Sequence, residues 1–251
     1  MTDQKRRRVK VEQGAKRIRT YLGGELVADT ASPLLVWEKP YYPVYYFPEK
    51  DVRLDLLTET GETKRSPSRG EATLYTVATT AAKAEGAAYR HLDSPVEELR
   101  DHVAFNWNAM DSWFEEDEEV YVHARDPYTR VDNLPSSRHI EVVIGGVKVA
   151  DSTSPVLAFE TGLPVRYYLP KTDVRMDLLE AIDLQTDCPY KGAASYYNVV
   201  VNGENHGHLV WWYPFPAEES SRLAGLVSFY NEKVDIYLDG ELQDRPKTMF
   251  S

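Results

Sequence analysis

The chain repeats itself, and the repeat limits what it can fold into more than any other property of its 251 residues. Shifted by about 122 positions, Ser32 to Val77 falls on Ser154 to Val199 without a gap, a period that fits a duplicated domain rather than the short units of a solenoid. Gly23-Gly24 meets Gly145-Gly146, Ser32-Pro33 meets Ser154-Pro155, and Glu38 meets Glu160. Tyr45-Tyr46 meets Tyr167-Tyr168, Asp51-Val52-Arg53 meets Asp173-Val174-Arg175, and Pro67 and Gly70 meet Pro189 and Gly192. Two homologous tandem domains are expected, each large enough to bury a core without disulfides. The expected boundaries are a flexible basic N-terminus over 1–16, a first domain over 17–114, an acidic linker over 115–137 and a second domain over 138–251.

Within each copy the local signals are those of antiparallel strands. Ile18 to Leu22, Gly23-Gly24 and Glu25 to Ala28 read as a hairpin, because glycine accepts the positive φ of a tight turn. Ile140 to Ala150 repeats that pattern. Leu34 to Trp37 and Val156 to Phe159 read as short apolar strands, and Ala194 to Val201 as a strand closed by the turn dipeptide Asn202-Gly203. Asp173, Arg175 and Asp177 alternate with Val174, Met176 and Leu178, the period of a strand with one wet face. The arginine between the two aspartates makes that face self-neutralising rather than metal-binding.

Each copy is expected to end in a helix. Ser94-Pro95-Val96-Glu97 supplies an N-cap serine, a proline at the first helical position and a capping-box glutamate. Val96, Leu99, Val103, Trp107 and Met110 then form a stripe at helical spacing, with a counterpart from about Pro216 to Tyr230. The fold class read from these signals is mainly β: two tandem, homologous, compact antiparallel β domains, sandwich- or barrel-like, each with one C-terminal helix.

Composition narrows the function classes. A single cysteine, Cys188, excludes an internal disulfide framework and a cysteine-built zinc site. Met1 to Lys16 has no apolar centre, and no apolar run approaches the ~20 residues that span a bilayer, so a cytoplasmic chain without membrane contact is expected. The net charge of −11 argues against nucleic acid as a partner. The exception, Lys5-Arg6-Arg7-Arg8, reads as a solvated end. His206 and His208 alternate without a third ligand, so no metal is expected, no cofactor is assigned, and a homo-oligomer is compatible with the sequence.

The two copies differ where a site would sit. Cys188-Pro189-Tyr190-Lys191-Gly192 stands opposite Ser66-Pro67-Ser68-Arg69-Gly70. Further on, with a small insertion in the first copy, Trp211-Trp212-Tyr213 is set opposite Ala87-Ala88-Tyr89. On that alignment the first copy keeps the frame and a cation but has a degenerate site. An aromatic-walled lysine site would be intact only in the second domain. The alternative is that the two copies simply pack differently.

In the second domain Lys191 is a compact charge suited to phosphate or carboxylate, and Gly192 would let backbone N–H groups approach an anion. Arg166 is a second cation, with Val44 at its counterpart. Tyr168, Tyr190, Trp211 and Trp212 are candidate walls for a ring. Glu160 reads as a general base or hydrogen-bond acceptor, or as the structural partner of a cation such as Arg175. Cys188 becomes a nucleophile if Lys191 lowers its pKa. The candidate catalytic residues are thus Glu160, Cys188 and Lys191, and the ligand-binding ones Arg166, Tyr168, Tyr190 and Trp212.

The run from Leu157 through Phe159-Glu160, Gly162, Pro164, Arg166, Tyr168 and Pro170 is followed by Asp173-Val174-Arg175-Met176-Asp177, Cys188 to Gly192 and Gly225 to Asn231. In that order these motifs resemble the bacterial family termed domain of unknown function 427, also filed as nucleotidyltransferase-like. The resemblance is strong in the second half and partial in the first. It implies a compact, mostly antiparallel β fold with a small helix, and no established activity. Nothing here resembles the paired metal-binding aspartates after a Gly-Ser turn that nucleotidyltransferases use.

The reading is a protein whose second domain binds a small anionic, partly aromatic molecule such as a nucleotide or sugar phosphate, with catalysis open. The alternative is a non-catalytic interaction or self-association module docking through Pro40-Tyr41-Tyr42-Pro43.

Overall fold

A computed structural model describes residues 9–248 and 250–251, so Lys5 to Arg8 lie outside the described residues. The chain divides between Asp126 and Pro127 into two units, and each builds the same pair of antiparallel sheets. In the first unit a seven-stranded sheet runs in the order Lys10–Gln13, Leu34–Trp37, Val44–Pro48, His102–Phe105, Lys83–Arg90, Gly70–Ala78 and Leu57–Ser66. Its four-stranded companion runs Glu118–Glu119, Ser112–Glu115, Ile18–Leu22 and Glu25–Thr30. The second unit repeats both orders. Its larger sheet is Val131–Pro135, Val156–Glu160, Arg166–Pro170, Leu226–Phe229, Glu204–Trp212, Gly192–Val201 and Leu179–Cys188. Its smaller one is Val147–Ser152, Ile140–Ile144, Asp235–Leu238 and Glu241–Leu242. Neither unit closes into a barrel; both are mainly β, in two tandem domains, as the repeat implied.

The central strands of the larger sheet in each unit bury side chains on both faces, and strand alternation sorts the side chains between them. In the second unit Leu169, Val199, Val210, Val227 and Phe229 face Ile140, Val142, Ile236 and Leu238 of the smaller sheet. The neighbours Tyr168, Tyr196 and Trp211 point the other way and are covered by Leu223. The first unit has the same two layers, one with Phe47, Val77, Val103 and Ile18, the other with Tyr46, Ala104, Val36 and Leu99.

Four expectations are corrected by this architecture. The C-terminal helices are short 3₁₀ segments, Glu97–Leu99 and Glu218–Leu223, the latter interrupted at Ser220. Val103 belongs to a strand bonded to Val44–Pro48 and Lys83–Arg90, so the helix-spaced stripe yields to sheet pairing. Ser94 caps no helix; its Oγ donates to Arg69 O at 2.8 Å and accepts from Val96 N at 3.1 Å. The strand expected at Asp173 to Leu178 is two 3₁₀ turns, Lys171–Asp173 and Met176–Leu178.

The boundaries shift as well. Lys10–Gln13, expected within a flexible end, is a sheet strand paired with Leu34–Trp37. Glu115, expected in the linker, is buried at the end of Ser112–Glu115, where Tyr45 Oη donates to it and Lys16 pairs with it at 2.5 Å. Val131–Pro135, from the other end of that linker, is the edge strand of the second unit's larger sheet. The three turn expectations hold: Gly23-Gly24, Gly145-Gly146 and Asn202-Gly203 all turn with positive φ between paired strands.

Candidate functional site

In the second domain, Val156–Glu160 carries Ala158 and Glu160 on the face that receives Tyr168 from Arg166–Pro170. Glu160 ends that strand, and its Oε2 accepts a hydrogen bond from Lys191 Nζ. Both side chains are largely buried. Glu160 therefore takes Lys191 as its partner, not Arg175, whose guanidinium holds Asp177 in solvent at 2.6 and 2.8 Å. Lys191 is delivered by a tight turn in which its N–H donates to Cys188 O at 3.3 Å. Gly192 follows at φ +95°, where a Cβ would stand 3.0 Å from Phe215 O and 3.3 Å from Ala217 N. Ala217 N donates to Lys191 O at 3.0 Å. The glycine thus admits the 215–217 segment of the chain, in place of the anion expected there.

Around the ion pair lies a wall of aromatic groups. Tyr168 Oη accepts from Trp211 Nε1 at 3.0 Å, and Tyr213 packs beside Tyr168. Burial pushes both phenols well above their usual range, so both are protonated at neutral pH. Cys188 is half-buried at the edge of this cluster. It pairs with Gly192 at one end of its hairpin, whereas His206 pairs with Val199 toward the other, so His206 is not brought to the thiol as a base. Tyr190 is buried, and its carbonyl accepts from Ser220 Oγ at 3.1 Å.

Two candidates have other duties. Trp212 points to the opposite face from Trp211, as adjacent strand residues must, and packs on the inter-sheet core with Lys171 Nζ 3.2 Å over its ring. Arg166 shares the face of Tyr168 but is consumed by structure: it grips Glu232 in a bidentate pair at 2.6 and 2.7 Å and also donates to Asn231. Burial would push the Glu232 carboxyl up, but hydrogen bonds from Arg166 and Thr248 outweigh it and hold the group below the usual carboxylate range. The strands thus bring Glu160, Lys191, Tyr168 and Cys188 together, with Tyr190 beside Lys191 on the same turn, and leave Trp212 out; Arg166 lies 5.5 Å over the Trp211 ring but is taken up by Glu232. Trp211 is the tryptophan that joins.

The first domain carries the equivalent centre. Ser195 pairs with Trp212 and Thr73 with Arg90, so Trp211 corresponds to Tyr89 and Tyr213 to His91, not to Ala87 and Tyr89. The shift of about 122 still holds there, and that constancy was the signal for the correct alignment. Glu38 accepts from Tyr46 Oη at 2.6 Å, Tyr89 Oη at 3.0 Å and Arg69 Nη2 at 3.0 Å. Burial first, then the neighbouring Glu38, keeps the Tyr89 phenol protonated. Burial, with Arg69 next, pushes the His91 imidazole below its ordinary value, so it is neutral at pH 7. A cavity of about 250 Å3 opens here, lined by Glu38, Lys64, Arg65, Arg69, Tyr89 and His91 together with Ser66 and Ser68. Ser68, Tyr89 and His91 line this room, and the larger or bulkier Tyr190, Trp211 and Tyr213 stand at the matching positions of the second copy.

Among the described residues, one grouping gathers three metal-type ligand atoms: His139, Glu141 and Asp151, on the smaller sheet. Lys148 donates to Asp151 at 2.8 Å and pairs with Glu141, so a cation already sits among these groups. No helix among the described residues is long and apolar enough to cross a membrane.

Fold and paired centres together define a tandem two-domain β protein with a carboxylate–cation pair, Glu38–Arg69 and Glu160–Lys191, at the same place in each domain. The chain belongs to the family described as Domain of unknown function (DUF427), which matches it twice, over residues 10–116 and 132–240. No curated protein matches the chain.

Proposed function

We propose that the second domain binds a small anionic, partly aromatic ligand of nucleotide or sugar-phosphate type, with Lys191 and Glu160 as its polar contacts. Tyr168 forms the floor, and Tyr190 and Cys188 the rim. One observation carries this reading. A carboxylate–cation pair recurs at the same place in both domains, Glu160–Lys191 and Glu38–Arg69, with each side chain at most 16% exposed. Desolvating two charges costs several kcal/mol per ion and is returned only in part by their attraction, so such a pair is a poor device for stability alone. A pair that an incoming anion can rearrange has a reason to be there. Cys188 as nucleophile gains no base from His206, so binding is the better supported half of the reading.

A second reading, docking of a protein partner or of a second copy, is favoured by Tyr41. It is 75% exposed between Pro40 and Pro43.

One experiment separates the two. Thermal unfolding is followed with nucleotides, sugar phosphates and organic acids, in the wild type and in Lys191→Met, alongside sedimentation velocity. A ligand at ~100 times its dissociation constant adds about 2.7 kcal/mol. At ~2–4 °C per kcal/mol for a chain of this size, the shift is readily seen, and Lys191→Met is expected to remove the part of it that the second-domain site supplies. No shift with any compound, together with concentration-dependent sedimentation, would select the docking reading.

A further inference from the structure

The first domain holds a second cavity, about 310 Å3, beside the one at Arg69. The two share three wall residues, Glu38, Lys64 and Tyr89, so they are neighbouring compartments of one groove. Their linings differ in kind. The 310 Å3 compartment is aromatic, lined by Tyr42, Tyr45, Phe105, Trp107 and Trp113. Trp107 and Trp113 lie stacked at 4.6 Å with a 7° interplanar angle, and Tyr42 stacks on His123 at 3.9 Å. The 250 Å3 compartment is cationic, with Lys64, Arg65 and Arg69 against the single carboxylate of Glu38.

Charge accounting sharpens the contrast. Glu38 is already engaged by three donors, Tyr46, Tyr89 and Arg69. Lys64 and Arg65, and Lys39 at the mouth of the aromatic compartment, have no acidic partner among the described residues. Arg69 gives Glu38 one N–H, while its Nε is buried without an acceptor. A buried donor left unpaired is costly, and turning the guanidinium toward an incoming oxyanion would relieve it. A cluster of unneutralised cations is a local exception in a chain of net charge −11. Flat aromatic walls favour a ring, and a guanidinium fork favours an oxyanion.

We infer that the first domain is itself a ligand-binding domain, independent of the second-domain site, and that it takes a flat aromatic ring bearing an oxyanion. The ring lies in the Tyr42–Trp107 compartment and the oxyanion in the Lys64–Arg65–Arg69 compartment, with Tyr89 between them. The shared chemistry admits an aryl carboxylate or a nucleoside monophosphate.

Isothermal titration calorimetry of the full chain tests this with four probes: adenosine 5′-monophosphate, 4-hydroxybenzoate, adenosine and inorganic phosphate. At least one of the two ring-bearing anions is expected to bind at least tenfold more tightly than adenosine or phosphate alone, and which one binds identifies the oxyanion. Lys64→Gln, an exposed strand residue whose loss leaves the core intact, should weaken that binding at least tenfold. Trp107→Leu should weaken it for the ring-bearing probes while leaving phosphate unchanged. Lys191→Met should leave it untouched, which separates this site from the one proposed in the second domain. Neither ring-bearing anion binding more tightly than adenosine and phosphate, binding indifferent to Lys64→Gln, binding lost in Lys191→Met, or no heat from any probe at millimolar concentration would each overturn the inference.

Discussion

At the scale of single residues, the second domain pairs a buried cation with a buried carboxylate. Arg166 and Glu232 are locked together, with side-chain exposures of 10% and 0%, and a removed partner would leave an uncompensated charge. Glu232→Leu is expected to destabilise the second domain by roughly 3–5 kcal/mol, whereas Arg166→Met combined with Glu232→Leu should recover most of that loss; urea denaturation measures both. The pH dependence has a definite sign. The folded-state pKa of Glu232 is depressed, so its contribution is present above the ordinary carboxylate range and is lost as pH falls through the folded value. The gap between wild type and the double variant should therefore narrow only below about pH 4. Sequence singled out Arg166 because Val44 stands at its counterpart, and that difference is real. Its partner, Glu232, lies 66 positions away, and no local pattern announces a pair closed by a strand crossing.

At the scale of elements, the turn from Cys188 to Gly192 explains why some motifs were legible and others were misread. Two glycines of the same hairpin system make the comparison. Gly203 turns at φ +79° with open space at its Cβ position, whereas Gly192 turns at φ +95° with the Phe215 and Ala217 backbone against it. Alanine at Gly203 is expected to cost ~1–2 kcal/mol, the left-handed penalty alone. Alanine at Gly192 should cost clearly more, since backbone must move as well, and should break the bond from Ala217 N to Lys191 O. Equal shifts in unfolding midpoint for the two variants would refute this account. Hairpin glycines are readable because the demand for positive φ is local. The expected helices failed for the converse reason: Leu99, Val103 and Trp107 are spaced for a helix, but Val103 is claimed by the ladders on either side of its strand.

At the scale of the whole molecule, each unit has two apolar layers of its own, which predicts that residues 1–126 and 127–251 fold as separate polypeptides. Each should give a β-type far-ultraviolet spectrum and a cooperative urea transition; an unfolded fragment of either half would contradict independence. Duplication, β class and the tandem plan were set by sequence alone, because a gapless internal alignment and two-residue alternation survive without knowledge of any contact. The same holds for Glu160 and Lys191 as notable residues, since both stand at aligned positions with a charged counterpart. Which face each aromatic occupies was decided only in three dimensions. Trp211 and Trp212 are indistinguishable as letters, yet the pleat sends one to the tyrosine cluster and the other to the inter-sheet core. The roominess of the first domain was likewise invisible, because a cavity is the space that neighbouring strands leave unfilled, and small side chains spell either loss of a site or room for one until the sheet is closed around them.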